Sequence, residues 1–150
     1  MKKYYYNSPI GILEIIYSEN TLYSLKITDE LDVSDEKTNF SKNIKIQLDE
    51  YFLGKRKNFD ININPQGTDF QKQVWNELIK ISYGTTKSYS EIAENIDNKN
   101  AQRAIGAACN KNPIMLIIPC HRVISRSGNL GGFAYGNNIK EQLLKIENYV

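Results

Sequence analysis

The chain of 150 residues is poor in the side chains that bind metals or cross-link small proteins: it has two cysteines and one histidine. Cys and His alone therefore cannot complete a four-ligand zinc site, and Cys109 and Cys120 do not have a metal-ligand spacing. No zinc site is expected from these residues. Both cysteines are expected as thiols of a reducing cytosol, and the length suffices to bury a core without staples. No apolar run approaches the length of a membrane span, and Met1-Lys2-Lys3 is followed by Tyr4-Tyr5-Tyr6-Asn7 where a leader would be apolar. A soluble, cytoplasmic protein with no membrane partner is expected. Repeats and low-complexity tracts are also missing. Acid is absent from one stretch: none occurs between Asn98 and Ile139, where Lys99, Arg103, Lys111, Arg122 and Arg126 all fall. The net charge of +2 conceals this, because residues 1–64 carry nine Lys/Arg against ten Asp/Glu and residues 65–150 carry ten against seven. Such a stretch suits a polyanionic partner.

What is present divides into two parts, expected at 1–64 and 65–150. The first reads as a small α/β domain with an antiparallel sheet. Pro9-Ile10-Gly11 is a turn signal, and residues 12–17 and 22–27 are rich in strand formers around a tight connection at Ser18-Glu19-Asn20. Residues 28–38 are acidic and irregular. From residue 40 to 52 the apolar positions Ile44, Ile46, Leu48, Tyr51 and Phe52 fit an amphipathic helix ended by Gly54. Ile61 and Ile63 alternate as a short strand before the linker Pro65-Gln66-Gly67.

The second part reads as mostly helical, so the class is α+β. Thr68 is the candidate N-cap of a helix whose apolar face is Phe70, Val74, Trp75, Leu78 and Ile81. Tyr83-Gly84-Thr85-Thr86 breaks it. A short helix from Ser88 or Ser90 to Ile96, a polar turn, and a helix over 101–110 make a helix-turn-helix pattern. The second of these helices is built from small residues, Ala101, Ala104, Gly106, Ala107 and Ala108, with Gln102 and Arg103 beside them. Small residues pack tightly against neighbours, and they also let a helix approach a narrow groove while one long side chain inserts.

The chemistry concentrates at residues 116–123, Leu-Ile-Ile-Pro-Cys-His-Arg-Val. The apolar residues read as a short buried strand or extended segment, and Pro119 lacks the N–H to continue a ladder, so the chain turns at Cys120. A thiol held where a buried segment ends suits a nucleophile, although a cysteine in apolar surroundings is ordinarily a small hydrophobe. Gly128, Gly131, Gly132 and Gly136 mark a loop that follows closely enough to wall a pocket, and a final helix over 139–149 turns Leu143, Leu144 and Ile146 inward.

Phe70-Gln71 with Val74-Trp75, Tyr83-Gly84 with Thr86 and Ser88-Tyr89, Ala101 with Arg103-Ala104, Asn112-Pro113, and Ile118-Pro119-Cys120-His121-Arg122-Val123 together resemble the O6-alkylguanine-DNA alkyltransferases. The resemblance spans residues 67–147 and, more loosely, Tyr51-Phe52 and Gly54. It implies irreversible transfer of an alkyl group from O6 of guanine in double-stranded DNA to Cys120, with O4 of thymine as a second candidate donor. It further implies that His121 and Glu147, with a water, lower the pKa of the thiol, that Asn112 orders this network, and that the Tyr89 hydroxyl assists departure of the guanine. Arg103 would fill the gap left by a flipped nucleotide, with Ala101, Gln102, Ala104, Tyr89 and Arg122 also facing DNA in the minor groove. Pro119, Gly132, Phe133 and Ala134 would line the substrate pocket. A monomer with no obligate protein partner and no need of a metal or organic cofactor is implied. Phe133 stands where family members commonly have Tyr, and Ala134-Tyr135 replaces a frequent Arg-Trp pair, which removes one possible hydrogen bond to the base. Two other classes share parts of this pattern: an alkyltransferase-like binder, which lacks the cysteine, and a Cys-His hydrolase, which has no need of the small-residue helix.

Overall fold

Alternation of buried and exposed side chains organises the first unit of the structure, a computed structural model that describes residues 1–30, 37–128, 130 and 132–148. The centre of the acidic 28–38 segment, Gly131 of the glycine-rich loop and Tyr149 at the end of the expected final helix lie outside the described residues. The chain divides into two compact units, Met1–Gln66 and Gly67–Val150. In the first, β1 (Lys2–Ser8), β2 (Gly11–Ser18) and β3 (Thr21–Ile27) form an antiparallel meander in that order. Tyr4 and Tyr6, and Leu13, Ile15 and Tyr17, turn to the buried face as a period of two requires, and a register shift against Ile16 and Tyr17 lets Leu22 and Leu25, three apart, both reach it. Gly11 closes the first hairpin at φ +123°, a conformation that a side chain would strain.

Helix α1 (Asn39–Phe52) starts with a reciprocal cap in which Thr38 Oγ1 accepts from Ser41 N and Ser41 Oγ accepts from Thr38 N. It buries Ile44, Leu48 and Tyr51, while Tyr6 of β1 donates its hydroxyl to Asp49 at 2.5 Å. The strand expected around Ile61 and Ile63 is reduced to one parallel bridge, Ile63 with Leu22. Leu22 N donates to Asn62 O and Leu22 O accepts from Asn64 N. Gln47 of α1 takes both backbone groups of Asp60, at 3.0 and 2.8 Å, and Pro65 then lacks the N–H to extend a ladder.

The second unit is held by helix packing. Helix α2 (Asp69–Ile79) repeats the reciprocal cap with Thr68 and Gln71 and buries Val74, Trp75 and Leu78. A two-residue strand β4 (Lys87–Ser88) leads into α3 (Tyr89–Asn95), capped by Ser88, and α4 (Gln102–Asn110) follows a turn in which Asp97 takes φ +57°. Trp75 Nε1 donates to Ala108 O at 2.9 Å, fixing α2 against the C-terminal half of α4. Strand β5 (Val123–Ile124) pairs in parallel with β4, a contact too short to leave a periodic signal, and α5 (Asn137–Ile146) completes the unit. Among the described residues no helix is long and apolar enough to cross a membrane.

Gly67 is fixed by a close approach. A Cβ there would sit 2.5 Å from Trp75 Cη2 and 2.7 Å from Gln71 Oε1, so both the indole and the cap of α2 would have to move. Gly67→Ala is expected to destabilise the protein by about 1–3 kcal/mol, as overpacking does. A urea titration shows this as a lower midpoint with unchanged slope, and an unchanged midpoint would mean that the indole relocates freely.

Candidate active site

The apolar run ahead of Cys120 forms neither the expected strand nor an extended segment. Ile117 N donates to Met115 O, Ile118 N to Ile114 O and Cys120 N to Ile118 O, so the segment is a series of tight turns that satisfies its own amides while Ile114, Met115, Leu116 and Ile118 are buried. An apolar run of this length is compatible with either geometry, because periodicity alone does not separate them. Leu116 takes φ +72°, a left-handed conformation that disfavours a branched side chain by roughly 1–2 kcal/mol. The turn expected at Cys120 is present: Cys120–Arg122 form one turn of 3-10 helix running directly into β5.

That turn sends His121 and Arg122 to a shared partner. Glu147, at the C-terminal cap of α5, is 1% exposed, and His121 is fully buried. His121 Nε2 lies 2.6 Å from Glu147 Oε2, Arg122 Nε donates to Oε1 at 2.7 Å and Arg122 Nη2 to Oε2 at 3.1 Å. The remaining arm of the guanidinium, Nη1, donates to Ile81 O at 2.7 Å, and the Tyr83 ring lies 5.8 Å from Arg122 Cζ. Burial by itself would raise the Glu147 pKa, but the hydrogen bonds and charges of His121 and Arg122 outweigh it and bring the carboxyl down to about 2. An ionised Glu147 accepts, so Nε2 carries the histidine proton and Nδ1 keeps its lone pair. Nδ1 is buried and has no hydrogen-bond partner among the described residues. Burial, first, and then the Arg122 and Lys140 charges push the His121 pKa below 6.5 against the pull of Glu147, so the ring is neutral at physiological pH.

Asn112 holds the sulfur. Its Oδ1 accepts from Ile114 N at 2.9 Å, which fixes the amide orientation, and its Nδ2 donates to Ile118 O at 2.7 Å and to Cys120 Sγ at 3.2 Å. The expectation of a thiol with lowered pKa needs correction for the resting protein. Burial of Cys120 raises its pKa, and the Asn112 hydrogen bond, the Lys140 charge and the local backbone N–H groups only partly offset this. The resting sulfur is a thiol, and the proton must leave as the reaction begins.

The other expected residues separate by exposure. Gln102, Arg103, Ala104, Ala107 and Asn110 are exposed on α4, and all but Ala104 line a hollow of about 550 Å³ together with Tyr89, Gly106 and Gly132. The Tyr89 ring lies 3.9 Å from where a Gly106 Cβ would be, and its hydroxyl is 3.5 Å from Gly132 O. Burial, and then the two thiols, raise the Tyr89 pKa to about 12, so the hydroxyl keeps its proton. Gly132 and Ala134 are exposed, Phe133 is half-buried with its ring 5.7 Å from Tyr135, and Pro119 is buried at the head of the turn. Two expected DNA contacts are corrected. Arg122 is 6% exposed and its guanidinium is taken up by Glu147 and Ile81, so it cannot reach a phosphate. Ala101 is also 6% exposed, because as N-cap of α4 it packs inward and its N–H is bound by Asn98 O.

One residue of the site escaped the sequence reading. Lys140 is fully buried on α5, with Nζ donating to Val123 O, Leu130 O and Gly132 O. The signal was available: Lys140 precedes the inward-facing Leu143 and Leu144 by three and four residues, which places it on the same stripe.

Comparison with known proteins finds similar chains along the whole length. The family model described as "6-O-methylguanine DNA methyltransferase, DNA binding domain" matches residues 69–149, and that described as "6-O-methylguanine DNA methyltransferase, ribonuclease-like domain" matches residues 1–65. A methylated-DNA–protein-cysteine methyltransferase of Methanosarcina acetivorans is 46% identical over 148 residues, covering 95% of each chain. The crystal structure of Mycobacterium tuberculosis OGT in complex with DNA superposes with a TM-score of 0.91 at 39% identity, over 98% of this chain and 92% of that one. S. pombe Atl1, solved with damaged DNA containing O6-carboxymethylguanine, matches 55% of this chain and 79% of its own at 25% identity and a TM-score of 0.50. With both family models matched along nearly its full length and a relative this similar end to end, the chain belongs to the 6-O-methylguanine DNA methyltransferase family.

Proposed function

We propose that the protein repairs double-stranded DNA by moving an alkyl group, methyl first of all, from O6 of guanine to Cys120, and that each molecule acts once. The observation that carries this is the buried Cys120 thiol, held by Asn112 next to a histidine whose other nitrogen is locked by an ionised Glu147. DNA meets the exposed face of α4. Its small side chains allow close approach to the minor groove, and Arg103, exposed on that face, takes the place of a nucleotide rotated out of the stack. Extrusion costs roughly a few kcal/mol, least for a lesion that pairs poorly. The base enters beside Tyr89, Gly132 and Phe133.

The chemistry balances without a cofactor. The Sγ proton passes to His121 Nδ1 through a bridging water, and Glu147 stabilises the imidazolium that forms. The sulfur attacks the alkyl carbon, the S–C bond forms, the C–O6 bond breaks and its electron pair passes to the purine. Tyr89 donates its hydroxyl proton to the leaving base, and the imidazolium proton replaces it. The product is a thioether, and none of the residues around Cys120 has the chemistry to cleave one, so the reaction ends there.

The test is intact mass and peptide mapping after mixing the protein with an excess of duplex carrying one O6-methylguanine. The whole population is expected to gain one methyl, on Cys120, and Cys120→Ser none. Binding of the duplex with no gain of mass would overturn the transfer reading in favour of a binder.

A further inference from the structure

Lys140 is a buried cation to which the reaction above gives no task. Leu143 and Leu144 on the same face of α5 are apolar, so a leucine or methionine would continue the stripe, whereas burying an ammonium is unfavourable unless all its donors are used. Among the described residues they are used by carbonyls alone. Val123 O, at 2.5 Å, belongs to β5, three residues beyond Cys120, while Leu130 O and Gly132 O, the latter at 3.5 Å, belong to the glycine-rich loop. One ammonium therefore ties the strand that leaves the thiol to the loop that walls the base site. Gly132 O is also the acceptor facing the Tyr89 hydroxyl, and the Phe133 ring centre lies 5.9 Å from Nζ.

We infer that Lys140 is a positioning residue: it pins the backbone at Leu130 and Gly132 to β5, and so sets where the incoming guanine lies relative to Tyr89 and Cys120. The inference rests on the alkyl-transfer reading for what the loop holds, but the pin itself can be measured without it. The competing role is electrostatic, because the same charge favours the Cys120 thiolate. The two roles differ at high pH. Once the thiol is fully ionised, a charge acting only on the sulfur no longer matters, whereas a misplaced loop still does.

The experiment compares the full-length protein with Lys140→Met, a neutral side chain of similar length. Tryptic cleavage after Arg126, which is exposed in the same loop, is expected to accelerate in the variant as the loop opens more often. Methyl transfer from an O6-methylguanine duplex is expected to fall by about 100-fold, the scale of an ångström-sized misplacement. That deficit persists at a pH where alkylation of Cys120 by iodoacetamide has reached its plateau. In the unmodified protein the Lys140 ammonium protons are expected to be protected from exchange and scalar-coupled to the carbonyl carbons of Val123 and Leu130, a result that stands even where Lys140→Met fails to fold. Unchanged cleavage after Arg126, an exchange-broadened ammonium, or a deficit that vanishes on the iodoacetamide plateau would each overturn the pin. Absence of transfer by the unmodified protein would instead overturn the alkyl-transfer reading, with the cleavage and ammonium measurements still deciding the pin.

Discussion

Replacing Glu147 with glutamine is expected to slow methyl transfer by about three to four orders of magnitude, the scale seen when an orienting carboxylate behind a catalytic histidine becomes an amide. Glutamine can present its NH2 to His121 Nε2 and so stabilise the tautomer with the proton on Nδ1. The nitrogen that should receive the thiol proton would then already carry one. The same change leaves Arg122 buried without its anion, and breaking a buried pair in this way destabilises by roughly 3–5 kcal/mol. It also has a pH signature. Because the Glu147 pKa is depressed to about 2, its contribution to stability is complete above the unfolded-state value of about 4.3 and is lost as pH falls toward 2. Urea titrations at a series of pH values from 6 to 2.5 should show that loss in the unmodified protein and a much flatter profile in Glu147→Gln. A variant that transfers methyl at the normal rate would remove Glu147 from the relay.

Arg122→Met is expected to destabilise by a comparable amount, about 3–5 kcal/mol, since it strands the Glu147 carboxylate beside a neutral ring. Its kinetic effect has the opposite origin. The Arg122 charge helps keep the His121 pKa low, so its removal lets the ring, still paired with Glu147, take a proton at higher pH. The acid limb of the transfer rate, expected below the ordinary histidine value of about 6.5 in the unmodified protein, should move upward, with activity recovering at alkaline pH. A DNA-facing role makes a different prediction. A lost phosphate contact would lower the slope of log affinity against log salt by about one unit, whereas removal of a buried clamp leaves the slope unchanged. Salt titrations of duplex binding decide between them, and a reduced slope would restore Arg122 to the DNA interface.

Local rules account for what the sequence made legible. Thr68, and Ser88 or Ser90, were readable as helix starts because a side-chain oxygen there satisfies an amide that nothing else can, and Thr68 and Ser88 are the caps in the structure. The meander was readable because strand formers concentrate at residues 12–17 and 22–27 around a tight connection, and both stretches are strands in the structure. The run at 114–118 was not, because its amides close onto carbonyls two to four residues back, a pattern that leaves no period. Ile63 alternates like a strand yet forms one bridge, since pairing depends on the neighbour and not on the alternation.

The site divides in the same way. Residue type and order by themselves determined that Cys120 would stand at a turn after a buried apolar run beside the sole histidine, and that a small-residue helix bearing Arg103 would be available to a polyanion. The pairing of Glu147 with His121, 26 positions away, was already implied by the family resemblance, and only the tertiary structure decided the rest: it took Arg122 out of solvent to hold that carboxylate and used Lys140 to tie a loop to a strand. Charge reads the same in a sequence whether it faces water or a buried carboxylate. The difference is made by burial, which weakens a lone ion and strengthens a paired one, and burial belongs to the packed chain.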